Sequence, residues 1–123
     1  HPKEFARLSG HSSEQIAATP LPLAIEFAKQ HGVTLLLKGH TTIVTDGATH
    51  FLITAGSSSM AKGGSGDVLT GVITALLAQG YPALRAAYTG SYVCGKAGEA
   101  AAASLGSYAA TPEETIAHLF SNL

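Results

Sequence analysis

The apolar positions of this chain follow two kinds of spacing, and these predict its helices and strands. After Asp67, a spacing of three or four residues up to Gly80 predicts a helix with one apolar stripe. The stripe consists of Val68, Leu69, Val72, Ile73, Leu76 and Leu77. A further helix is predicted from Pro82 to about Ala103, and its small residues would permit close packing against a neighbour. These small residues are Ala86, Ala87, Gly90, Ala97, Gly98 and Ala101.

Capping residues predict two helices in the first third of the chain. Ser12 and Gln15 have the spacing of a capping box, which predicts a short helix that Pro20 and Pro22 then interrupt. A second helix is predicted from about Pro22 to His31, and Gly32 occupies the position that commonly ends a helix. Its inner side would carry Ala24, Ile25, Phe27 and Ala28.

The last predicted helix has its own start signals. Thr111 is a cap, Pro112 suits the first helical position, and Glu114 has the spacing of a capping-box partner. The inner face of this helix would consist of Ile116, Leu119 and Phe120.

Three segments rich in β-branched and apolar residues predict strands. Residues 33–37 are β-branched or apolar throughout, which is typical of a strand covered on both faces. Residues 41–45 and 51–54 flank the pair Asp46-Gly47, which is a hairpin signal. Three strands make a thin sheet for four or five helices. We therefore expect an α/β domain whose larger sheet this chain completes only in part.

The sequence AKGGSGDVLTGV at residues 61–72 places glycines and a serine directly before the apolar stripe. Glycine costs about 0.5–1 kcal/mol relative to alanine inside regular structure, so this cluster predicts a loop whose backbone closely approaches a ligand. The first N–H groups of the following helix have no intrahelical partner and attract phosphate or another anion. Asp67 stands at this terminus, where it is either only the N-cap of the helix or a chemically active carboxylate.

Composition narrows the class of protein. The 123 residues suit one domain, and only 12% of them are charged against a typical share of about 25%. So little charge predicts that another subunit or a further part of the protein covers some of the surface. The net charge of −1 and the scattered basic residues argue against a nucleic-acid partner. No apolar segment is long enough to predict a membrane span, and the single Cys94 suits the reducing cytoplasm.

Two further motifs carry polar residues where ligands are expected. They are HPKE at residues 1–4 and KGHTT at residues 38–42, directly after the first predicted strand. Ligands of open α/β sheets bind beyond the carboxyl ends of strands, where Lys38 and the glycine loop are both expected. The sequence contains neither a GxxxxGK[ST] nor a GxGxxG phosphate motif. The alternatives are that Lys38 is a solvated charge at a strand end and that His1 is only the start of an ordered segment.

The other histidines and the tyrosines carry weaker signals. The histidines lack a spacing typical of metal ligands, so we expect surface positions for them and no metal site in the protein. These are His11, His31, His40, His50 and His118. We expect Tyr81, Tyr88 and Tyr92 to pack against the protein rather than to stack on a base.

Taken in order, four segments resemble the ADP/ATP-dependent NAD(P)H-hydrate dehydratases, the YjeF C-terminal branch of the ribokinase-like fold. They are HPKEFARLSG, LLLKGHTTIVTDG, MAKGGSGDVLTGVITALLAQGYPALRAA and CGKAGEAAA. The resemblance implies a three-layer α/β/α sandwich, of which residues 1–123 would form the C-terminal part of a single domain. Because the chain starts at His1 rather than at methionine, we expect a fragment that lacks the first half of the domain.

The resemblance implies a cofactor-repair lyase that uses ADP or ATP, with Mg²⁺, to dehydrate hydrated NADH or NADPH, abbreviated NAD(P)HX. The nucleotide would contact Gly66 and the residues of the KGHTT motif, which are Lys38, Gly39, His40, Thr41 and Thr42. The N–H groups of Gly64, Ser65 and Gly66 would stabilise the transferring phosphoryl group.

The resemblance also assigns the substrate contacts. His1 and Asp67 would contact the hydrated nicotinamide, and Asp67 would take the proton from the substrate hydroxyl as that oxygen attacks phosphorus. The low charge and the small-residue helix predict a homo-oligomer, such as a tetramer, with no membrane partner.

Three features depart from the family pattern. HPKE stands where the family usually has HPGE, Ser57–Ser59 stand where it has an asparagine and a GN pair, and Pro20 and Pro22 disturb a normally continuous helix. Two alternatives stay open. One is a ribokinase-like kinase for a vitamin-precursor alcohol, and the other is a nucleotide-binding fragment without turnover of its own.

Overall fold

The computed structural model describes residues 1–56, 64–105 and 111–119, which form six helices and three strands. The helices are α1 (Pro2–Ser9), α2 (Ser13–Ala18), α3 (Pro20–His31), α4 (Ser65–Ala78), α5 (Ala83–Leu105) and α6 (Pro112–His118). The strands are β1 (Leu35–Leu37), β2 (Thr42–Thr45) and β3 (His50–Ile53). The backbone divides into two compact units, His1–Ile53 and Thr54–Leu123, which we call unit 1 and unit 2.

Unit 1 contains an antiparallel sheet in the order β1-β2-β3. The hairpin predicted around Asp46-Gly47 is confirmed, because β2 pairs along its length with β3. Asp46 closes the turn, since its Oδ1 accepts the backbone N–H groups of Ala48 at 2.9 Å and Thr49 at 2.8 Å. These two bonds hold the pKa of Asp46 below its ordinary value.

The core of unit 1 combines residues from its three helices and its sheet. The buried cluster consists of Phe5, Ile16, Ala24, Leu37 and Ile43. Phe5 of α1 meets Phe27 of α3 edge to face, with 5.3 Å between the ring centroids. This is a favourable aromatic geometry, so the pair ties α1 to α3.

Local caps begin and end the helices of unit 1. The capping box of α2 is confirmed, because Ser12 Oγ accepts the Gln15 N–H at 3.1 Å and Gln15 Oε1 accepts the Ser12 N–H at 2.8 Å. Gly32 ends α3 with a φ of 61°, as predicted. Pro20 begins α3, two residues earlier than expected, because proline suits the first turn of a helix.

The small residues of α5 form its buried side, as the sequence predicts. Ala86, Ala97 and Ala101 are fully buried. A Cβ on Gly90 would come 2.7 Å from Cγ1 of Ile73, so the absence of a side chain lets α5 approach α4 closely. The expected close packing is therefore an internal contact of unit 2.

The strand predicted over residues 33–37 is shorter and less buried than expected. β1 begins only at Leu35, Val33 is exposed, and Leu37 alone among the three β1 residues is buried. Instead β2 is covered on both faces, since Ile43 and Val44 point to opposite faces and expose 3% and 0% of their surface. Within the described residues β2 is the central strand, whereas β1 pairs only with β2.

The predicted inner face of the last helix is wrong in part. The cap is confirmed, because the Thr111 hydroxyl accepts a backbone N–H from the first turn of α6 at 3.3 Å. However, Ile116 is 49% exposed and its neighbour Thr115 is buried. Thr115 can take the inner position because its hydroxyl donates to the Thr111 carbonyl at 3.4 Å. Leu119 is half-buried, and Phe120 lies outside the described residues.

Gly95 is a position of α5 where a side chain is poorly tolerated. A Cβ there would collide with the backbone carbonyl group of Ala55. We predict that Gly95→Ala lowers the free energy of unfolding by about 1–3 kcal/mol, as overpacking does. Gly71→Ala is the control, because a Cβ there meets nothing within 4 Å and alanine favours the helix by up to about 1 kcal/mol. Urea unfolding measures both, and equal midpoints for the two variants would contradict this packing.

Candidate functional site

Residues 64–67 of the predicted glycine loop form the N-terminus of α4, and residues 61–63 lie outside the described residues. Gly64 is the N-cap and has a φ of 91°, in the left-handed region. The first intrahelical bond runs from the Val68 N–H to the Gly64 carbonyl at 3.1 Å. The amides of Ser65, Gly66 and Asp67 therefore have no carbonyl acceptor within the helix. These three N–H donors stand at the positive end of the helix dipole, where anions bind favourably.

Asp67 is the third residue of α4, so the alternative that it is the N-cap is wrong. Gly64 takes the cap position because glycine adopts a positive φ without strain, and the helix thus begins before the aspartate. The Asp67 side chain is exposed, whereas Ser65 is buried. The carboxylate is therefore accessible to a ligand beside the amides of the same turn.

Gly64 is required by its backbone conformation rather than by lack of room. A Cβ at this position would lie 3.4 Å from Cγ of Pro112, the first residue of α6, which is an ordinary contact distance. A side chain would nevertheless be strained at this φ. Gly80 has the same φ of 91° after the end of α4, with nothing within 4 Å of an added Cβ.

α5 holds the segment that follows β3. Glu99 Oε1 accepts the Gly56 N–H at 2.9 Å, and its Oε2 pairs with Lys96 Nζ at 3.0 Å. The bond from Gly56, and then the one from Lys96, hold the pKa of Glu99 below its ordinary value of 4.5. The same carboxylate raises the pKa of Lys96. Sequence reasoning missed this contact, because residues 43 positions apart share no local pattern.

The KGHTT segment forms the turn between β1 and β2. Lys38 follows the last residue of β1, and Thr42 is the first residue of β2. Lys38 is half-buried, whereas Gly39 and His40 are exposed. A Cβ on Gly39 would come 3.2 Å from the Thr41 carbonyl oxygen, so the turn is tight there. The predicted position after a strand is confirmed, and contact with a ligand stays a prediction.

His1 is the N-cap of α1, and its contact with the substrate stays a prediction. Its Nδ1 accepts the backbone N–H of Lys3 at 3.2 Å. HPKE therefore begins a helix that the apolar spacing does not predict. The sequence signal that could have predicted this helix is Pro2, which suits the first helical position, followed by Glu4 at the position of a capping-box partner.

The structure gathers the candidate residues into two sets, one in each unit. Unit 1 carries His1 and residues 38–42, and unit 2 carries residues 64–67. Within unit 1 the motifs share one core, because Phe5 of α1 packs in the same cluster as Leu37 and Ile43, which flank the KGHTT segment. The departure at Ser57–Ser59 lies outside the described residues.

Within the described residues, the single cysteine and the tyrosines show no sign of a catalytic or base-stacking role. Cys94 is buried, and desolvation raises the pKa of its thiol to about 11, so the reactive thiolate is scarce at neutral pH. Tyr92 is 52% exposed on α5, so the expectation that it packs is wrong. Cζ of Arg85 lies 5.2 Å from the centroid of the Tyr81 ring, a cation–π contact between residues four positions apart.

The histidines occupy mostly surface positions. His31, His40 and His50 are exposed as expected, whereas His11 and His118 are half-buried. Across the ranges 1–56, 64–105 and 111–119, no group of three His, Cys, Asp or Glu side chains could hold a metal ion. The helices of these same ranges include none with the length and apolarity needed to cross a bilayer.

Comparison with known proteins identifies relatives along nearly the whole chain. A family model described as NAD(P)H-hydrate dehydratase matches residues 1–119. The ADP-dependent (S)-NAD(P)H-hydrate dehydratase of Cenarchaeum symbiosum is 39% identical over 101 residues, which are 82% of this chain and 35% of the relative. The enzyme of the same name from Neisseria meningitidis serogroup B is 38% identical over 107 residues, 86% of this chain and 36% of the relative. The chain thus spans about a third of these relatives.

A solved structure of a protein with a name of the same kind has a closely similar fold. The crystal structure of ADP/ATP-dependent NAD(P)H-hydrate dehydratase from Bacillus subtilis, co-crystallized with ATP/Mg²⁺, matches with a TM-score of 0.93. The two chains are 27% identical, and the match covers 98% of this chain and 44% of that one. It confirms the predicted α/β fold class, which is ribokinase-like. The chain belongs to the NAD(P)H-hydrate dehydratase family.

Proposed function

We propose that the protein containing this chain dehydrates NAD(P)HX and restores NADH or NADPH, with ADP or ATP as the phosphoryl donor. The observation that carries the proposal is the N-terminus of α4, where three main-chain amides lie in the same turn as the exposed carboxylate of Asp67. Family membership supports the substrate class. The names of the relatives support a nucleotide co-substrate.

The main chain around Gly64, Ser65 and Gly66 binds the transferring phosphoryl group in this proposal. Negative charge accumulates on the phosphoryl oxygens during transfer, and amides already directed at them stabilise that charge without reorganising. A bond between an N–H and an anionic oxygen is stronger than one between neutral groups. Glycine at position 64 is thus needed for the chemistry as well as for the turn.

The KGHTT segment supplies further nucleotide contacts. Lys38 provides a positive charge for phosphate, and the hydroxyl groups of Thr41 and Thr42 provide donors. The exposed backbone of Gly39 and His40 lets the nucleotide approach the turn closely. The half-buried state of Lys38 supports this role over that of a fully solvated strand-end charge.

Asp67 acts as the general base in the proposed reaction, and His1 contacts the same substrate. The carboxylate takes the proton of the substrate hydroxyl while that oxygen forms a bond to phosphorus and the donor nucleotide leaves. Phosphate then departs with the former hydroxyl oxygen, a proton leaves the neighbouring carbon, and the double bond is restored. Hydroxide is a poor leaving group and phosphate a good one, which is why the nucleotide is consumed.

We include Mg²⁺ with the nucleotide in this proposal. Magnesium commonly binds through substrate phosphates, waters and one or two carboxylates rather than through a protein cage. The described residues fit that manner of binding, because Asp67 is an exposed carboxylate in the same turn as the proposed phosphate-binding amides. The ion would shield phosphate charge, and the solved relative crystallised with ATP/Mg²⁺ supports its presence.

We further propose a cytoplasmic homo-oligomer, such as a tetramer. The low share of charged residues supports burial of part of the surface, and exposed apolar side chains at Phe51, Leu52 and Leu77 support it further. A single cysteine with an unreactive thiol supports a reducing compartment.

The substitution Asp67→Asn tests the proposed reaction. We expect the protein at its natural length to regenerate absorbance of reduced nicotinamide from NADHX only with ADP or ATP, and Asp67→Asn to lower kcat by about 10²–10⁴-fold. The fold should persist, because asparagine is nearly isosteric. Glu113→Gln is the matched control, an exposed first-turn carboxylate of α6. Retained activity of Asp67→Asn would exclude its role as base.

The same assay separates the alternative functions. Accumulation of a phosphorylated product would indicate a kinase instead of a dehydratase. Binding of ADP without turnover would indicate a nucleotide-binding protein that does not catalyse the reaction.

The pair Gly64→Ala and Gly80→Ala tests the phosphate-binding turn. Both residues have a φ of 91°, so we predict a similar loss of about 1–2 kcal/mol in the free energy of unfolding. Only Gly64→Ala should weaken ADP binding, by about tenfold or more, because it displaces amides that bind an anion. Calorimetry measures the affinities. Equal affinities of the two variants would rule out the turn as the phosphate site.

A further inference from the structure

Two positions of α5 contact the main chain of Ala55 and Gly56. Because Gly95 has no Cβ, the backbone of α5 meets the Ala55 carbonyl group directly. Glu99 lies four residues further along the helix, on the same face, and its Oε1 accepts the Gly56 N–H at 2.9 Å. A close backbone contact and a hydrogen bond thus hold two adjacent residues of one segment against α5.

The backbone conformation of Gly56 needs such support. Its φ is 146°, in a region that residues other than glycine rarely adopt. Glycine also loses more conformational freedom on ordering than any other residue, so a glycine held in one conformation depends on contacts that compensate for this loss. Glu99 holds the N–H next to the N–Cα bond about which φ rotates. The carboxylate therefore restrains this rotation.

The charge of Glu99 strengthens its bond to Gly56. Oε2 pairs with Lys96 Nζ at 3.0 Å, which leaves Oε1 for the Gly56 N–H. These contacts hold the pKa of Glu99 below 4.5, so the carboxylate is ionised at neutral pH, and an ionised acceptor forms a stronger bond than a neutral one. The side chains of Lys96 and Glu99 are 41% and 36% exposed, so the ion pair itself contributes little to stability.

α5 also packs against the helix that carries the candidate phosphate site. Gly90 of α5 lets Ile73 of α4 approach closely, since a Cβ at position 90 would come 2.7 Å from Ile73 Cγ1. In the sequence, residues 57–63 join Gly56 to Gly64, the cap of α4. One helix therefore holds Gly56, where this connection begins, and also α4, to which it leads.

We infer that Glu99 is a positioning residue for nucleotide binding, which holds the Gly56 N–H and so fixes the chain that leads into the phosphate-binding amides of α4. The inference rests on the proposed function, which assigns the nucleotide phosphate to those amides. Glu99 acts through the main chain and does not touch the nucleotide. Main-chain donors bind a ligand more tightly when they are ordered before it arrives. Without the Glu99 bond, each binding event has to order this chain as well.

The direction of the expected effect separates positioning from a simple effect of charge. Glu99 is an anion, so the removal of its charge alone would favour the binding of an anionic nucleotide. The loss of positioning acts in the opposite direction, because it weakens binding.

Glu99→Ala and Glu99→Gln test the positioning role in the protein at its natural length. Glu99→Ala should weaken ADP binding by about three- to tenfold in calorimetry and leave the KM for NADHX within about twofold. Glu99→Gln should restore the wild-type affinity for ADP, because its amide oxygen accepts the same N–H. The role is overturned if Glu99→Ala binds ADP as tightly as the wild type or more tightly, or if Glu99→Gln restores nothing.

Lys96→Gln and Gly80→Ala are the controls. Lys96→Gln removes the ion pair and keeps the acceptor of the Gly56 N–H, so the affinity for ADP should stay within about twofold of the wild type. Gly80→Ala lowers stability through its φ of 91° after the end of α4, where an added Cβ meets nothing within 4 Å. If either control weakens ADP binding as much as Glu99→Ala does, lost charge or general stability is the cause, and the role is overturned.

Hydrogen exchange of the Gly56 amide tests the contact without any nucleotide. Compared with amides inside α4, the Gly56 N–H should exchange about tenfold faster in Glu99→Ala than in the wild type or in Glu99→Gln. Equal exchange in Glu99→Ala and the wild type would overturn this inference alone. A wild-type protein that binds no ADP would overturn the proposed phosphate site and, with it, the role of Glu99.

Discussion

The left-handed backbone of Gly64 is the constraint on which the candidate site depends. At a φ of 91° the chain turns into α4 so that the amides of Ser65, Gly66 and Asp67 stand free of intrahelical acceptors. The same turn leaves the Asp67 carboxylate exposed. Phosphate binding and proton removal would thus both follow from one backbone conformation. A site of this kind needs few charged side chains, which agrees with their 12% share in this chain.

Contacts of main-chain groups also hold segments in place outside the N-terminus of α4. The Lys3 N–H holds the ring of His1, and the Gly56 N–H is held by Glu99 of α5. A main-chain donor does not depend on the identity of its side chain, so a motif can vary where only its backbone is used. The contact between Gly95 and Ala55 has the same origin, since it requires two backbones to meet without an intervening Cβ.

Features of the fold with local causes could be predicted from the sequence. The hairpin at Asp46-Gly47 and the capping box of Ser12 each depend on a few adjacent residues. The buried side of α5 followed from its run of small residues. The predictions for β1 and α6 were wrong where burial depends on which strand is central and on how Thr115 satisfies its hydroxyl.

The candidate site was predictable to a similar degree. The start of α4 directly after the glycine cluster, with Asp67 in its first turn, followed from composition and spacing. The choice of Gly64 as the cap depends on a backbone conformation that no residue pattern specifies. The cap at His1 was missed because histidine is not among the usual capping residues. The bond between Glu99 and Gly56 joins distant positions and becomes visible only in the folded chain.

The fate of the substrate hydroxyl oxygen tests the central claim most directly. NADHX labelled with oxygen-18 in that hydroxyl group is converted with ADP or ATP, and mass spectrometry follows the label, with its retention in unreacted substrate as the control. If the hydroxyl attacks phosphorus held at the N-terminus of α4, the label appears in inorganic phosphate. If it appears in water, the hydroxyl leaves without phosphorylation, and the account is contradicted.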